Sequence, residues 1–329
     1  MKEKSIIIFI INNRLYLMGV ATIIILFFHI FQCYESNELG SAPFFFRYMR
    51  NWGAIGVDWF LFLSAYGLKN SYDRNTMIKF YRNRIMRILP SYIPFLIILY
   101  TIFLSGATIG TIIKETIFQI TGFSLIKYAD FFYAGFCFDW YTPAIMFLYI
   151  SFPILSYVAE KINTWPLLAQ VASILSVSII GIWITENKHF PMWLLSYRFS
   201  LFLLGILLYI KVRDGKEKEH IIICAAYLII GIFSDNKLFL VSSITPSLFI
   251  LLSIANLIMP LKKGISYIGK YSYEIYIAQI IPVQFIYRMN ISNDLFLLST
   301  ISIVTTGFFG ALFAFCNHLL IISVKGYHL

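Results

Sequence analysis

Apolar runs close to the length of a bilayer crossing recur along the chain, each ended by a short polar or charged break. A helix rises ~1.5 Å per residue, so about 20 apolar residues cross a ~30 Å hydrocarbon layer. Ten such runs are legible: Leu15–Phe31, Trp52–Tyr72, Ile88–Leu104, Trp140–Ala159, Pro166–Ile184, Met192–Ile210, Ile221–Phe233, Leu238–Ile258, Tyr267–Tyr287 and Leu295–Ile322. Between the third and fourth, Thr111–Phe138 is amphipathic and aromatic, and Gly122, Lys127, Asp130 and Gly135 break it. It reads as a helix and loop lying in the interface, within roughly residues 107–139. No repeat, low-complexity tract or linker divides the chain. The pattern predicts an all-α polytopic membrane protein with about ten transmembrane helices, forming a single domain over 1–329.

Composition agrees with this reading. Hydrophobic residues make up 59% of the 329 and charged residues only 13%, about half the density of a soluble domain. The mean hydropathy is +0.78. The net charge of +10 could serve nucleic acid, but the cations stand at the ends of apolar runs and argue against it. With both termini in the cytoplasm, 18 of the 26 lysines and arginines fall on the inner side, as positive-inside topology requires. The N-terminal run Ile6–Ile11 is short and interrupted by Asn12–Arg14, which does not read as a cleaved signal. The cysteines show no metal-type spacing, and no metal site is expected. Cys33 and Cys137 both fall near the outer face, where they either pair or stay free.

Against this scaffold a few ionisable residues stand out. His29 lies three residues from the outer end of the first run, and Asp58 about six into the second. Adjacent antiparallel helices would hold them at similar depth, and an imidazole beside a carboxylate suits general-base work. The plainer reading makes His29 interfacial and Asp58 a helix cap. At the inner end of the second and third runs, Lys79, Arg82, Arg84 and Arg87 cluster. Arg84 and Arg87 are one turn apart and could clamp a phosphate, or could simply set topology. Arg198 and Glu274 lie inside runs, and such groups need partners. Arg198 could pair with Asp58 or Glu274, or face a tetrahedral oxyanion. Ser64 and Tyr66 could line a cavity or bond neighbouring helices. Trp140 and Tyr141 start the fourth run at the outer face, as interfacial aromatics or as a platform for a sugar ring.

Six stretches in order resemble the membrane-bound acyltransferase family 3, integral-membrane O-acyltransferases of bacterial surface glycans. They are RLYLMGVATIIILFFH, GVDWFLFLSAYGL, FYRNRIMRILPSYI, DWYTPAIMFLYISFP, YRFSLFLLGILL and IGKYSYEIYIAQ, covering Arg14 to Gln279. Three positions depart from the family pattern: Met18 where it often has a cation, which either Arg14 one turn earlier replaces or this chain does not use, Ala65 where it has glycine, and Gln279 where it has histidine. The resemblance implies acetyl transfer from cytoplasmic acetyl-CoA to a hydroxyl of a cell-surface or capsular polysaccharide or its lipid-linked precursor. Acetyl-CoA would be a co-substrate, with no tightly bound cofactor. His29 would act as base or as a transient acyl carrier, oriented by Asp58, while Arg84 and Arg87, with Arg82 and Lys79, would hold the CoA phosphates. Gln279 would keep only a hydrogen-bonding role. The resemblance also implies the bacterial cytoplasmic membrane, with the bilayer, acetyl-CoA and a glycan as partners, and leaves open a homo-oligomer or a glycan-synthesis complex. The alternatives are a solute transporter using Asp58, Arg198 and Glu274, and an inactive subunit of a glycan-assembly complex.

Overall fold

The computed structural model describes residues 6–36, 52–103, 106–127, 139–187, 192–255, 261–289 and 295–326. Regular structure among them is entirely helical. In order the helices are α1 (Ile6–Ser36), α2 (Ile55–Arg74), α3 (Met77–Phe103), α4 (Ile109–Thr121), α5 (Ser124–Lys127), α6 (Tyr141–Thr164) and α7 (Leu167–Glu186). They continue as α8 (Trp193–Ser196), α9 (Phe199–Arg213), α10 (Glu217–Phe233), α11 (Lys237–Ala255), α12 (Lys262–Lys270), α13 (Ser272–Met289) and α14 (Leu295–Gly326).

A helix coincides with each of the ten apolar runs, but length and composition alone mark six as able to cross a membrane: Phe9–Phe31, Met77–Ile102, Tyr141–Thr164, Leu167–Glu186, Leu194–Arg213 and Phe296–Leu320. Among the others, α2 carries Asp58, Lys69, Asp73 and Arg74, and α10 and α13 have only 17 and 18 residues. Lipid-facing surface is plain on α7, where Leu168, Ile179, Ile180 and Trp183 are exposed.

Three boundaries differ from the sequence reading. The first helix starts at Ile6 rather than Leu15, because Asn13 is buried and donates to Phe9 O at 2.9 Å, so Asn12–Arg14 does not break it. The sixth run divides at Tyr197–Arg198 into α8 and α9, and the ninth at Tyr271 into α12 and α13. In the interfacial segment, α4 opens on the Thr108 side-chain cap and closes at Gly122, whose φ of +80° glycine adopts without strain. Residues 128–138, and with them the Cys33–Cys137 pairing, lie outside the described residues.

Lipid tails offer no hydrophobic drive between helices, so close packing at small residues must supply association. Gly269 of α12 sits against Leu15 O and Gly19 of α1, and Gly19 in turn against Ile265. Across α2 and α9, a Cβ on Gly205 would fall 2.6 Å from Phe62 O and 2.7 Å from the Ala65 Cβ. Ala65 is therefore accommodated because the helix facing it presents glycine. One end of the bundle is tied by charge: Lys69 bridges Asp73 and Glu160 at 2.6 and 2.7 Å, and Arg213 reaches Glu160 at 2.8 Å, linking α2, α6 and α9.

Candidate active site

A cavity of about 270 Å³ opens between α1, α2, α3, α6 and α13. Helical spacing builds its walls. Phe60, Ser64 and Leu68 recur every fourth residue on α2, and Tyr141, Ile145 and Tyr149 do so on α6. Each stripe spans about 12 Å at ~1.5 Å per residue. One pole gathers Arg14 of α1 with Arg84 and Arg87 of α3. The other pole closes where Phe60, Tyr141 and Tyr276 meet, with the Tyr141 ring 6.2 Å from Phe60 and 5.0 Å from Tyr276.

The three guanidiniums are held differently. Arg87 donates to Glu274 at 2.7 Å, and the same carboxylate oxygen accepts from Asn317 at 2.9 Å. Arg84 donates to Ser71 Oγ at 3.1 Å and lies over the Phe80 ring. Arg14 packs against Gly67, where a Cβ would come within 2.7 Å of its Nη2, and it makes no hydrogen bond or ion pair with the described residues. Three cations thus face one carboxylate across a common space. A cation cluster without enough counter-charge suits a ligand that carries several negative charges, and guanidiniums suit phosphate in particular. Lys79 and Arg82 are exposed and do not line the cavity.

Hydroxyl groups line the length between the poles. Tyr276 donates to Asp139 at 2.6 Å, Tyr273 and Thr142 share a hydrogen bond at 3.3 Å, and Tyr141 interacts with Ser64. Asp139 also caps α6, accepting from Tyr141 N and Thr142 N at 2.8 and 3.2 Å. Burial pushes the Asp139 carboxyl above its usual value. The same carboxylate therefore starts a helix and fixes a cavity tyrosine.

Beyond the aromatic pole the arrangement departs from the expected dyad. Asp58, 0% exposed, accepts from Arg198 Nε at 2.6 Å. Arg198, 3% exposed, also donates to Leu194 O at 2.9 Å and lies over the rings of Trp140 and Tyr197 at 5.0 and 4.3 Å. His29 and Asp58 share no hydrogen bond, and neither lines the cavity. Helix register explains this. Gly56 packs against Ile25 and Ala21, so His29 lies one turn beyond that contact and Asp58 half a turn short of it, roughly 9 Å apart along the axis. A buried guanidinium also needs a carboxylate more than a neutral imidazole does. The polar neighbour of His29 is Gln279 of α13, one turn past Tyr276.

Of the residues singled out in the sequence, Arg84, Arg87, Ser64 and Tyr141 meet at the cavity. Tyr66 turns to Tyr209, ring centroids 5.5 Å apart. Tyr141 is buried in the wall and Trp140 covers Arg198, so neither stands as an open platform for a sugar. Sequence reasoning did not assign Tyr149, Ser272, Tyr273, Tyr276 or Asp139 to the site. Arg14, the cation one turn before Met18 that can stand in for it, lines the cavity beside Met18. The tyrosines carry no signal apart from their partners.

A family model described as an acyltransferase domain matches residues 16–316. No curated protein and no solved structure matches the chain.

Proposed function

Because the chain belongs to the membrane-bound acyltransferase family 3, we propose that it moves an acetyl group from cytoplasmic acetyl-CoA to a hydroxyl of a cell-surface polysaccharide or its lipid-linked precursor. The observation that carries the donor half is the unpartnered Arg14 beside Arg84 and Arg87 at one cavity pole. Phosphates of the donor bind there, bidentate where geometry allows. The pantetheine arm runs along the wall of hydroxyls, where its amides find donors and acceptors. A space of about 270 Å³ is near the lower end for small-molecule sites, enough for the arm but not for a whole coenzyme.

His29 takes the proton of the acceptor hydroxyl as that oxygen attacks the thioester carbonyl. The C–S bond breaks, and the leaving thiolate takes that proton from the imidazolium, which regenerates neutral His29. For the thioester to reach His29, the ring cluster of Phe60, Tyr141 and Tyr276 parts. Asp58 serves the reaction by holding Arg198 at the outer side of that cluster. Ten crossings with both termini in the cytoplasm, in a bacterial cytoplasmic membrane, accord with 18 of 26 cations on the inner side. That topology also puts the arginine pole on the side where acetyl-CoA is found.

The test is glycan acetylation in cells carrying the wild type, Arg84→Ala or His29→Ala at matched membrane levels. Both variants lose acetylation on this account. Wild-type acetylation by both would show the mechanism to be wrong.

A further inference from the structure

One place in the bundle holds more unmet polar capacity than its surroundings explain. His29 Nδ1 and both side-chain atoms of Gln279, Oε1 and Nε2, are buried and make no hydrogen bond. Gln279 is 1% exposed. A buried polar group left unmet is destabilising, and here three lie together, Gln279 being the polar neighbour of His29 on helices that pack on each other. We propose that Gln279 is the positioning residue of His29. Its Oε1 accepts from His29 Nδ1–H, which leaves Nε2 of the ring unprotonated and free to take the acceptor's proton. The inference rests on reading His29 as the base.

No charged group competes for this role among the described residues. On α2, Asp58 is engaged by Arg198, and on α13, Glu274 is engaged by Arg87. On α12, Gly269 packs at Leu15 and Ile265 at Gly19, so Lys270 lies about 20 Å and Lys262 and Lys263 about 10 Å below His29 along the axis of α1. The portions of α11 from Leu238 to Ala255 and of α14 from Leu295 to Cys316 carry no charge. A neutral amide is thus the neighbour that can fix the imidazole's tautomer. Unlike a carboxylate, it does so without strongly favouring the imidazolium.

The experiment measures kcat and KM for acetyl transfer against pH, using full-length protein in detergent or nanodiscs. The variants are Gln279→Leu, Gln279→Glu and His29→Ala. We expect Gln279→Leu to lose roughly 10–100-fold in kcat with an unchanged KM for acetyl-CoA, less than the roughly 10²–10⁴-fold that general-base catalysis contributes as a whole, because the base is kept and only its orientation is lost. Gln279→Glu should recover activity and move the acid limb of the kcat profile to higher pH, because a carboxylate favours the imidazolium. A wild-type profile for Gln279→Leu overturns the proposal, as does loss in both Gln279 variants with the limb unmoved. If Gln279→Leu does not accumulate, the limb of Gln279→Glu decides alone. A fully active His29→Ala would instead remove the base, and the underlying reading with it.

Discussion

Removing the Asp58 carboxylate separates two roles that the same residue could have. In the structure it is the ionic partner of Arg198, both side chains are almost fully excluded from solvent, and the two are 2.6 Å apart. Asp58→Ala leaves a buried guanidinium with no anionic partner, holding Leu194 O, Tyr197 and the Trp140 face. Breaking a buried pair from one side costs about 3–5 kcal/mol. At roughly 2–4 °C per kcal/mol for a large domain, the melting temperature should fall by an amount on the order of 10 °C. Replacing both partners, Asp58→Leu with Arg198→Leu, removes the unpaired charge and should recover most of the loss. Thermal unfolding in detergent, followed by tryptophan fluorescence, reads both variants, and acetyl transfer is assayed on the same samples. The reasoning is refuted if Asp58→Ala melts with the wild type yet has lost transfer. That result would return Asp58 to His29.

Further changes probe the rest of the account. Arg14→Ala, Arg84→Ala and Arg87→Ala should each raise KM for acetyl-CoA about 10–100-fold, since a charge-assisted hydrogen bond contributes ~1.5–3 kcal/mol. Lys79→Ala and Arg82→Ala, outside the cavity, should change KM by less than about threefold, as initial-rate kinetics would show. Glu274→Ala takes the carboxylate from Arg87, which is more than a third exposed and stays hydrated, and from buried Asn317, and should cost roughly 1–3 kcal/mol of stability, seen as a lower melting temperature. Gly205→Val should destabilise by about 1–3 kcal/mol by pushing α9 off Phe62 and Ala65, whereas Gly264→Ala, which meets nothing within 4 Å, should not.

Hydropathy alone made the helices legible, because in lipid a backbone must satisfy its own hydrogen bonds and apolar runs betray their length. It misjudged ends where a side chain met its own backbone, as Asn13 does with Phe9 O. The inner arginine pair was legible as well, since Arg84 and Arg87 are neighbours on one helix. Arg14 was legible only as a stand-in for the family's cation at Met18, because nothing in α1 tells which face of the helix turns to a cavity shared with α3. The His29–Asp58 dyad failed for a related reason. Depth counted from the presumed ends of two helices ignores register, and the Gly56 contact with Ile25 sets it about six residues from where equal depth would require. Asp139 lies in a loop whose carboxylate role depends on Tyr276, 137 residues further along the chain.

The central claim is that the arginine pole holds an acyl-CoA for transfer. It is tested most directly by equilibrium binding of radiolabelled acetyl-CoA to the purified protein, wild type against the Arg14→Ala, Arg84→Ala, Arg87→Ala triple variant. The account predicts saturable binding by the wild type that falls as ionic strength rises, and none above background for the variant. Equal binding by the two, with the variant folded, would contradict it.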